Sequence, residues 1–153
     1  MTKEEVISDF IFNLTGGEVT TIFDSTYGCY YDIKADEINI NLKEEEENPA
    51  ASSFYRHLHD FHKVNDVTIV QKITWTVLHE IGHFFNQDEI MHPTNEDLIA
   101  RTEIFLAKNI NRYIQDLYYN ISAEWAATEW AIDFIKNNFA LVKLFEENLL
   151  TAE

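Results

Sequence analysis

Residues 67–85 read Val67-Thr68-Ile69-Val70-Gln71-Lys72-Ile73-Thr74-Trp75-Thr76-Val77-Leu78-His79-Glu80-Ile81-Gly82-His83-Phe84-Phe85. Ile69, Ile73, Val77, Ile81 and Phe84 recur at steps of three and four, which predicts an amphipathic helix across the stretch. On it, His79-Glu80-Ile81-Gly82-His83 matches H-E-x-x-H. Two histidines at i and i+4 project from one helix face, so both imidazoles can reach one metal ion. Neutral imidazole suits Zn²⁺. Glu80, directly after the first histidine, sits beside such an ion but points past it, where it can take a proton from an activated water. With six histidines in the chain, chance supplies the pattern only about 0.03 times.

On the N-terminal side, Thr2 with Glu5 makes a capping-box pattern, and Val6, Ile7, Phe10, Ile11 and Leu14 follow at helical spacing until Gly16-Gly17. Three short β-branched or aromatic runs come next, at 19–23, 29–33 and 37–42, and predict a small antiparallel sheet. Glu44 to Glu47 reads as a solvated loop. Asn48-Pro49 opens a short helix with Phe54, Leu58 and Phe61 on one face. His57, His59 and His62 on it read as surface histidines.

On the C-terminal side, Met91-His92-Pro93 breaks the central helix. Asn95 opens one long helical pattern through Leu98, Phe105, Ile110, Ile114 and Leu117. Ser122 caps a helix to about Asn137, and a last helix covers Phe139 to Leu150. The expectation is a single α+β domain over 1–153, mostly helical, with the small sheet near the N-terminus.

Composition narrows the function. The chain has 153 residues, 46% of them hydrophobic, enough for a core. Eleven basic residues against 27 acidic ones give a net charge of −16. That argues against gripping nucleic acid through its phosphates and against adhesion to an anionic membrane. No apolar run is long enough for a membrane helix, and the acidic start Lys3-Glu4-Glu5 is unlike a signal peptide. A single cysteine, Cys29, permits no internal disulfide and reads as an inert small residue. The expected setting is the reducing cytoplasm.

A catalytic zinc site takes three protein ligands. Three residues compete for the third place. Glu89 lies six residues after His83, and His92 lies just beyond the helix end. Glu124 heads a helix face continued by Ala127, Thr128, Ala131 and Ile135. Small residues below the carboxylate let that helix approach its neighbour closely. Thr128, one turn on, can hydrogen-bond a ligand from behind. For an oxyanion-stabilising role the candidates are His92, Tyr113, Tyr118 and Tyr119.

Three separated pieces resemble the ImmA/IrrE-type metallopeptidases of phages, mobile elements and bacteria. Glu37-Ile38-Asn39-Ile40-Asn41 is similar to the family's strand ending in I-x-I-N. Ile73 to His83 is similar to its apolar-HExGH helix. Glu124-Trp125-Ala126-Ala127-Thr128-Glu129-Trp130-Ala131 is similar to its E-x-x-A-N-x-F-A pattern, with Thr128 for the usual Asn and Trp130 for Phe. The resemblance implies a zincin-like domain with Glu124 as third metal ligand. It also implies a peptidase whose protein substrate is a regulatory protein, such as a DNA-binding repressor of a phage or mobile element. An acidic enzyme suits a basic substrate of that kind.

The expected function is therefore a zinc-dependent endopeptidase. His79, His83 and Glu124 hold Zn²⁺, and Glu80 is the catalytic base that later passes its proton to the leaving amine. Two histidines and a carboxylate also serve Mn²⁺ and Fe²⁺. The alternatives are a metal-containing binding protein that acts by docking, antirepressor-like, without proteolysis, and a helical domain in which the motif is accidental.

Overall fold

The computed structural model describes all 153 residues. Its first helix, α1 (Lys3–Leu14), begins at the expected capping box: Glu5 N–H donates to Thr2 Oγ1, and Thr2 N–H donates back to the Glu5 carboxylate. Gly16 and Gly17, at φ +66° and +78°, turn the chain out of the helix. Strands β1 (Thr20–Ile22), β2 (Tyr30–Asp32) and β3 (Glu37–Asn39) follow. After them come α2 (Leu42–Glu45), a 3-10 turn at Pro49–Ala51, α3 (Ser53–His62), α4 (Ile69–Phe85) and α5 (Gln87–Met91). The chain ends with α6 (Asn95–Leu106), α7 (Arg112–Tyr119), α8 (Ser122–Asn137) and α9 (Phe139–Leu150). The fold is α+β and mostly helical, with its one small sheet near the N-terminus. No helix is long and apolar enough to cross a membrane.

The sheet is mixed rather than wholly antiparallel. Its order is β1-β3-β2, with β3 antiparallel to β2 and parallel to β1. The reason is topological. β2 and β3 form a hairpin through Asp36 in the left-handed region (φ +49°), and β3 inserts between the two earlier strands. Because β1 and β2 run in opposite directions, a middle strand antiparallel to β2 lies parallel to β1.

The core forms around α4. Ile73, Val77, Leu78 and Ile81 are buried against Ile7 and Ile11 of α1, Ile38 and Ile40 at β3, Ala131 of α8, and Phe145 and Leu149 of α9. Each buried aliphatic side chain contributes roughly 1.5–3 kcal/mol. Phe10 stacks on Phe145 at 4.0 Å between ring centroids and ties α1 to α9.

Four local expectations are corrected. The helix expected from Asn95 through Leu117 is two helices, because Ala107 leaves helical geometry (ψ 132°) and the chain restarts at the Asn111 cap. Glu44 to Glu47 is no plain solvated loop: Glu44 and Glu45 belong to α2, and Glu45 is buried. His57 is no surface histidine but fully buried among aromatic rings, although His59 is exposed. Ser122 does not cap α8; Ile121 holds the cap position, and the Ser122 hydroxyl donates to Asp97.

Candidate metal centre

Helix α4 has two faces. The apolar one enters the core, and a polar stripe of Lys72, Thr76, His79, Glu80 and His83 lies on the other, every member buried. A capping box fixes the start of α4, with Thr68 and Gln71 bonding each other's backbone N–H. Helix α8 packs along α4 more extensively than any other element. Its start is held by Asp97, whose Oδ1 accepts from Ser122 N–H and Oγ, both at 2.9 Å, while Oδ2 accepts from Thr94 N–H at 3.0 Å. Glu124 stands two residues further on, aimed at α4.

His79, Glu80 and His83 offer ligand atoms that all lie within 4.8 Å of one another, in a buried cluster able to hold a metal ion. Glu124 comes closer still to the imidazoles. Its Oε1 lies 3.2 Å from His79 Nε2, and its Oε2 lies 2.9 Å from His83 Nε2. Glu89 and His92 are exposed and make no hydrogen bond or ion pair with either histidine. Of the three competing third ligands, Glu124 is the one brought to the site.

The hydrogen bonding behind His79 identifies its tautomer. Thr128 Oγ1 donates its one proton to the Glu124 backbone carbonyl at 3.1 Å, so toward His79 Nδ1, 3.0 Å away, it acts as acceptor. Nδ1 therefore donates to Thr128, which leaves Nε2 as the ring nitrogen that faces Glu124. Two imidazole nitrogens and a carboxylate converge here, and such a meeting of electron-rich atoms needs a cation. Protons on the rings are one solution, and a single metal ion is the other. The donor set, two His nitrogens and one carboxylate, fits a divalent transition metal. Thr128 supplies the kind of outer hydrogen bond that would orient His79 toward a metal. His83 has no such support, since its Nδ1 is buried without a partner.

Burial alone would push the Glu124 carboxyl up, but the hydrogen bonds and charges of His79 and His83 hold it well below the usual carboxylate range. Burial disfavours a charged His83, yet Glu124 raises its pKa overall. Glu80 moves the opposite way to Glu124. Its burial outweighs the two histidines and lifts its carboxyl above the ordinary value. Its Oε2 has no hydrogen-bond partner at all.

A cleft of about 300 Å³ opens onto His79, Glu80 and Glu124. Phe54 of α3 lies tilted against His79, ring centroids 4.9 Å apart, and stacks on Tyr119 at 5.6 Å, forming one wall. Tyr118 and Tyr119 line the cleft, whereas Tyr113 is exposed and bonds Glu103. Sequence reasoning passed over Phe54, Glu45, Lys72 and Thr76, which all line it. The signal was present for two of them: Lys72 and Thr76 lie about two turns and one turn before His79 on the same face. Cys29 also lines the cleft, with its thiol 3.6 Å from Glu45 Oε1. Burial pushes that thiol far up, so it stays protonated.

Comparison of the chain with known protein families, with characterised proteins and with solved structures finds no match. The resemblance to ImmA/IrrE-type peptidases therefore rests on the three motifs alone.

Proposed function

We propose that the protein is a zinc-dependent endopeptidase. The observation that carries this reading is the pairing of a three-donor centre with an unpartnered buried base. His79, His83 and Glu124 face one another through Nε2, Nε2 and carboxylate, and Glu80 Oε2 stands free beside them. In this reading those three residues hold Zn²⁺. When bound, the metal supplies Lewis-acid polarisation of a carbonyl and activation of water.

The chain's own residues do the rest. Glu80 is placed to accept a proton at Oε2 from the attacking water and to deliver it to the leaving amine. With no hydrogen-bond partner, Oε2 is free to take and then return a proton. Thr128 keeps the His79 ring in the ligating tautomer and orientation. Phe54 shields that ring from solvent on the cleft side. Structural zinc has no use for a buried carboxylate without partners, which favours the peptidase over a docking protein that merely contains metal. The substrate class that fits the resemblance is a regulatory protein, such as a repressor of a phage or mobile element.

The test is cleavage of a denatured protein mixture by zinc-loaded protein, beside Glu80→Gln. The proposal expects new termini with the wild type, none with the variant, and equal zinc content in both. Equal cleavage by both, or none by either, contradicts it.

A further inference from the structure

Helix α6 lies on the outside of the fold with its apolar side uncovered. Of its 12 residues only Asp97 is buried, and the helix packs chiefly on α7. Leu98, Ile99, Thr102, Phe105 and Leu106 fall within one stripe, about a third of the helix circumference wide. The four apolar members are between 49% and 86% exposed, Phe105 the most. Leu98, Ile99, Thr102 and Leu106, with Glu103 at the edge, line a groove of about 470 Å³. Thr102 already gives its hydroxyl proton to the Leu98 carbonyl at 2.9 Å, so a partner need not supply an acceptor for it. The exposed apolar side chains of α9 make no such stripe, since Phe139 and Leu141 lie on opposite sides of their helix.

Three properties identify what covers the stripe. The first is its symmetry. It reads alike from both ends, with bulky side chains three and four residues before Thr102 and again three and four residues after it. A two-fold interface needs that self-complementarity, because each copy presents the same patch to the other. In an antiparallel pairing centred on Thr102, Leu98 and Ile99 of each copy face Phe105 and Leu106 of the other. The second is area. The stripe presents on the order of 600 Å² per copy, so a pair buries about 1,200 Å², the lower bound of a standard interface. The third is charge. Two chains of net charge −16 repel one another over most of their surface. Residues 101–112 run against that charge, with Arg101, Lys108 and Arg112 beside a single acidic residue, Glu103. Arg112 pairs with Asp60, whereas Arg101 and Lys108 pair with no carboxylate and are free to meet the acidic surface of a second copy.

We infer that α6 is the interface of a two-fold homodimer of this chain, packed antiparallel on its own copy through Leu98, Ile99, Thr102, Phe105 and Leu106. The inference does not rest on the peptidase reading. It does bear on the metal centre: Asp97, the one buried residue of α6, accepts from Ser122 two residues before Glu124, so a second copy that fixes α6 also steadies the start of α8.

Two measurements on the full chain test this. Sedimentation equilibrium across the micromolar range should show a monomer–dimer equilibrium for the wild type, with a dissociation constant on the order of micromolar. The Ile99→Glu/Phe105→Glu double variant should dimerise at least about tenfold more weakly, because it places four carboxylates in the apolar seam. Both side chains are exposed, so its thermal melt at a concentration where both proteins are monomeric should match the wild type. The second measurement needs no disruptive change. Thr102→Cys puts one thiol of each copy on the two-fold axis, and mild oxidation should convert it to a disulfide-linked dimer much faster than Lys34→Cys, an exposed position on the turn between β2 and β3. A wild type that stays monomeric overturns the inference and leaves the stripe to a different protein. A double variant that dimerises as tightly as the wild type overturns it too, placing the interface elsewhere. Equal cross-linking at positions 102 and 34 overturns the two-fold packing on α6.

Discussion

The backbone of Ala127 occupies the space where residue 82 would carry a side chain. A Cβ built on Gly82 would lie 2.5 Å from the Ala127 carbonyl oxygen and 2.9 Å from its Cα. This contact sets the distance between α4 and α8, and so between the two histidines and Glu124. Ala123, Ala127 and Ala131 on α8, all buried, keep the same seam narrow.

Gly82→Ala should therefore be costly despite alanine's better helix propensity. The clash is with backbone, which cannot swing aside, so the helices must separate. Overpacking of this kind costs about 1–3 kcal/mol. In a chain of this size each kcal/mol lowers Tm by roughly 2–4 °C. Calorimetry should show that loss, and a chelator titration should show weakened metal binding, because Glu124 moves off with α8. A variant with unchanged melting and metal affinity would show that the close approach does not set the site.

Thr128→Val keeps the shape and removes the acceptor for His79 Nδ1. The residue is fully buried, so no water replaces the lost hydroxyl. Removing such an outer partner typically costs 10–100-fold in metal affinity, so a loss of about that size is expected. Competition with a zinc-binding dye measures it, and Thr128→Ser should restore most of the affinity.

Asp97 is the brace at the start of α8. Burial disfavours its charge, but donors from Ser122 and Thr94 outweigh that and hold its carboxyl below the usual value. With a folded pKa below the unfolded one, its stabilisation is present above about pH 5. It is lost as pH falls through the unfolded carboxylate range toward the folded pKa. Asp97→Asn should lower stability at pH 7, and the gap to wild type should close on acidification. Urea melts at several pH values check this.

His57 is buried within 5.0 Å of the Tyr119 and Phe61 rings, with both ring nitrogens lacking partners. Burial, followed by the positive potential of His62, His79 and Arg56 and opposed by Asp116, pushes its pKa down to about 4. The unfolded chain then binds the extra proton between about pH 6.5 and that value, so stability falls as pH drops through the window. His57→Phe removes two orphaned polar atoms while keeping a ring in the stack. It should hold or raise stability at pH 7 and flatten the slope between about pH 6.5 and 4. An unchanged slope would show that His57 does not carry it.

Much of this architecture was legible because local signals were strong. The Thr2–Glu5 capping box, the stripe from Ile69 to Phe84 and the small-residue face below Glu124 each name one structure. Glu45 was misread because a four-residue acidic run looks solvated, and only a tertiary partner, Thr76, explains its burial. The parallel pairing of β1 with β3 depends on which strand inserts between which, and no three-residue strand encodes that. The break after Leu106 was hidden because Ile110 and Ile114 continue the helical spacing in register. His57 was missed because the rings around it, Tyr119 and Trp125, come from distant parts of the chain.

The most direct measurement of the central claim is the bound-metal content of the purified, untagged protein after zinc incubation and desalting, with Glu124→Ala and Glu80→Gln alongside. The account predicts about one zinc per chain in the wild type and in Glu80→Gln, and loss or marked weakening in Glu124→Ala. No metal in the wild type, or equally tight binding in Glu124→Ala, would contradict it: the histidines would then be a packed pair or would find their third ligand elsewhere.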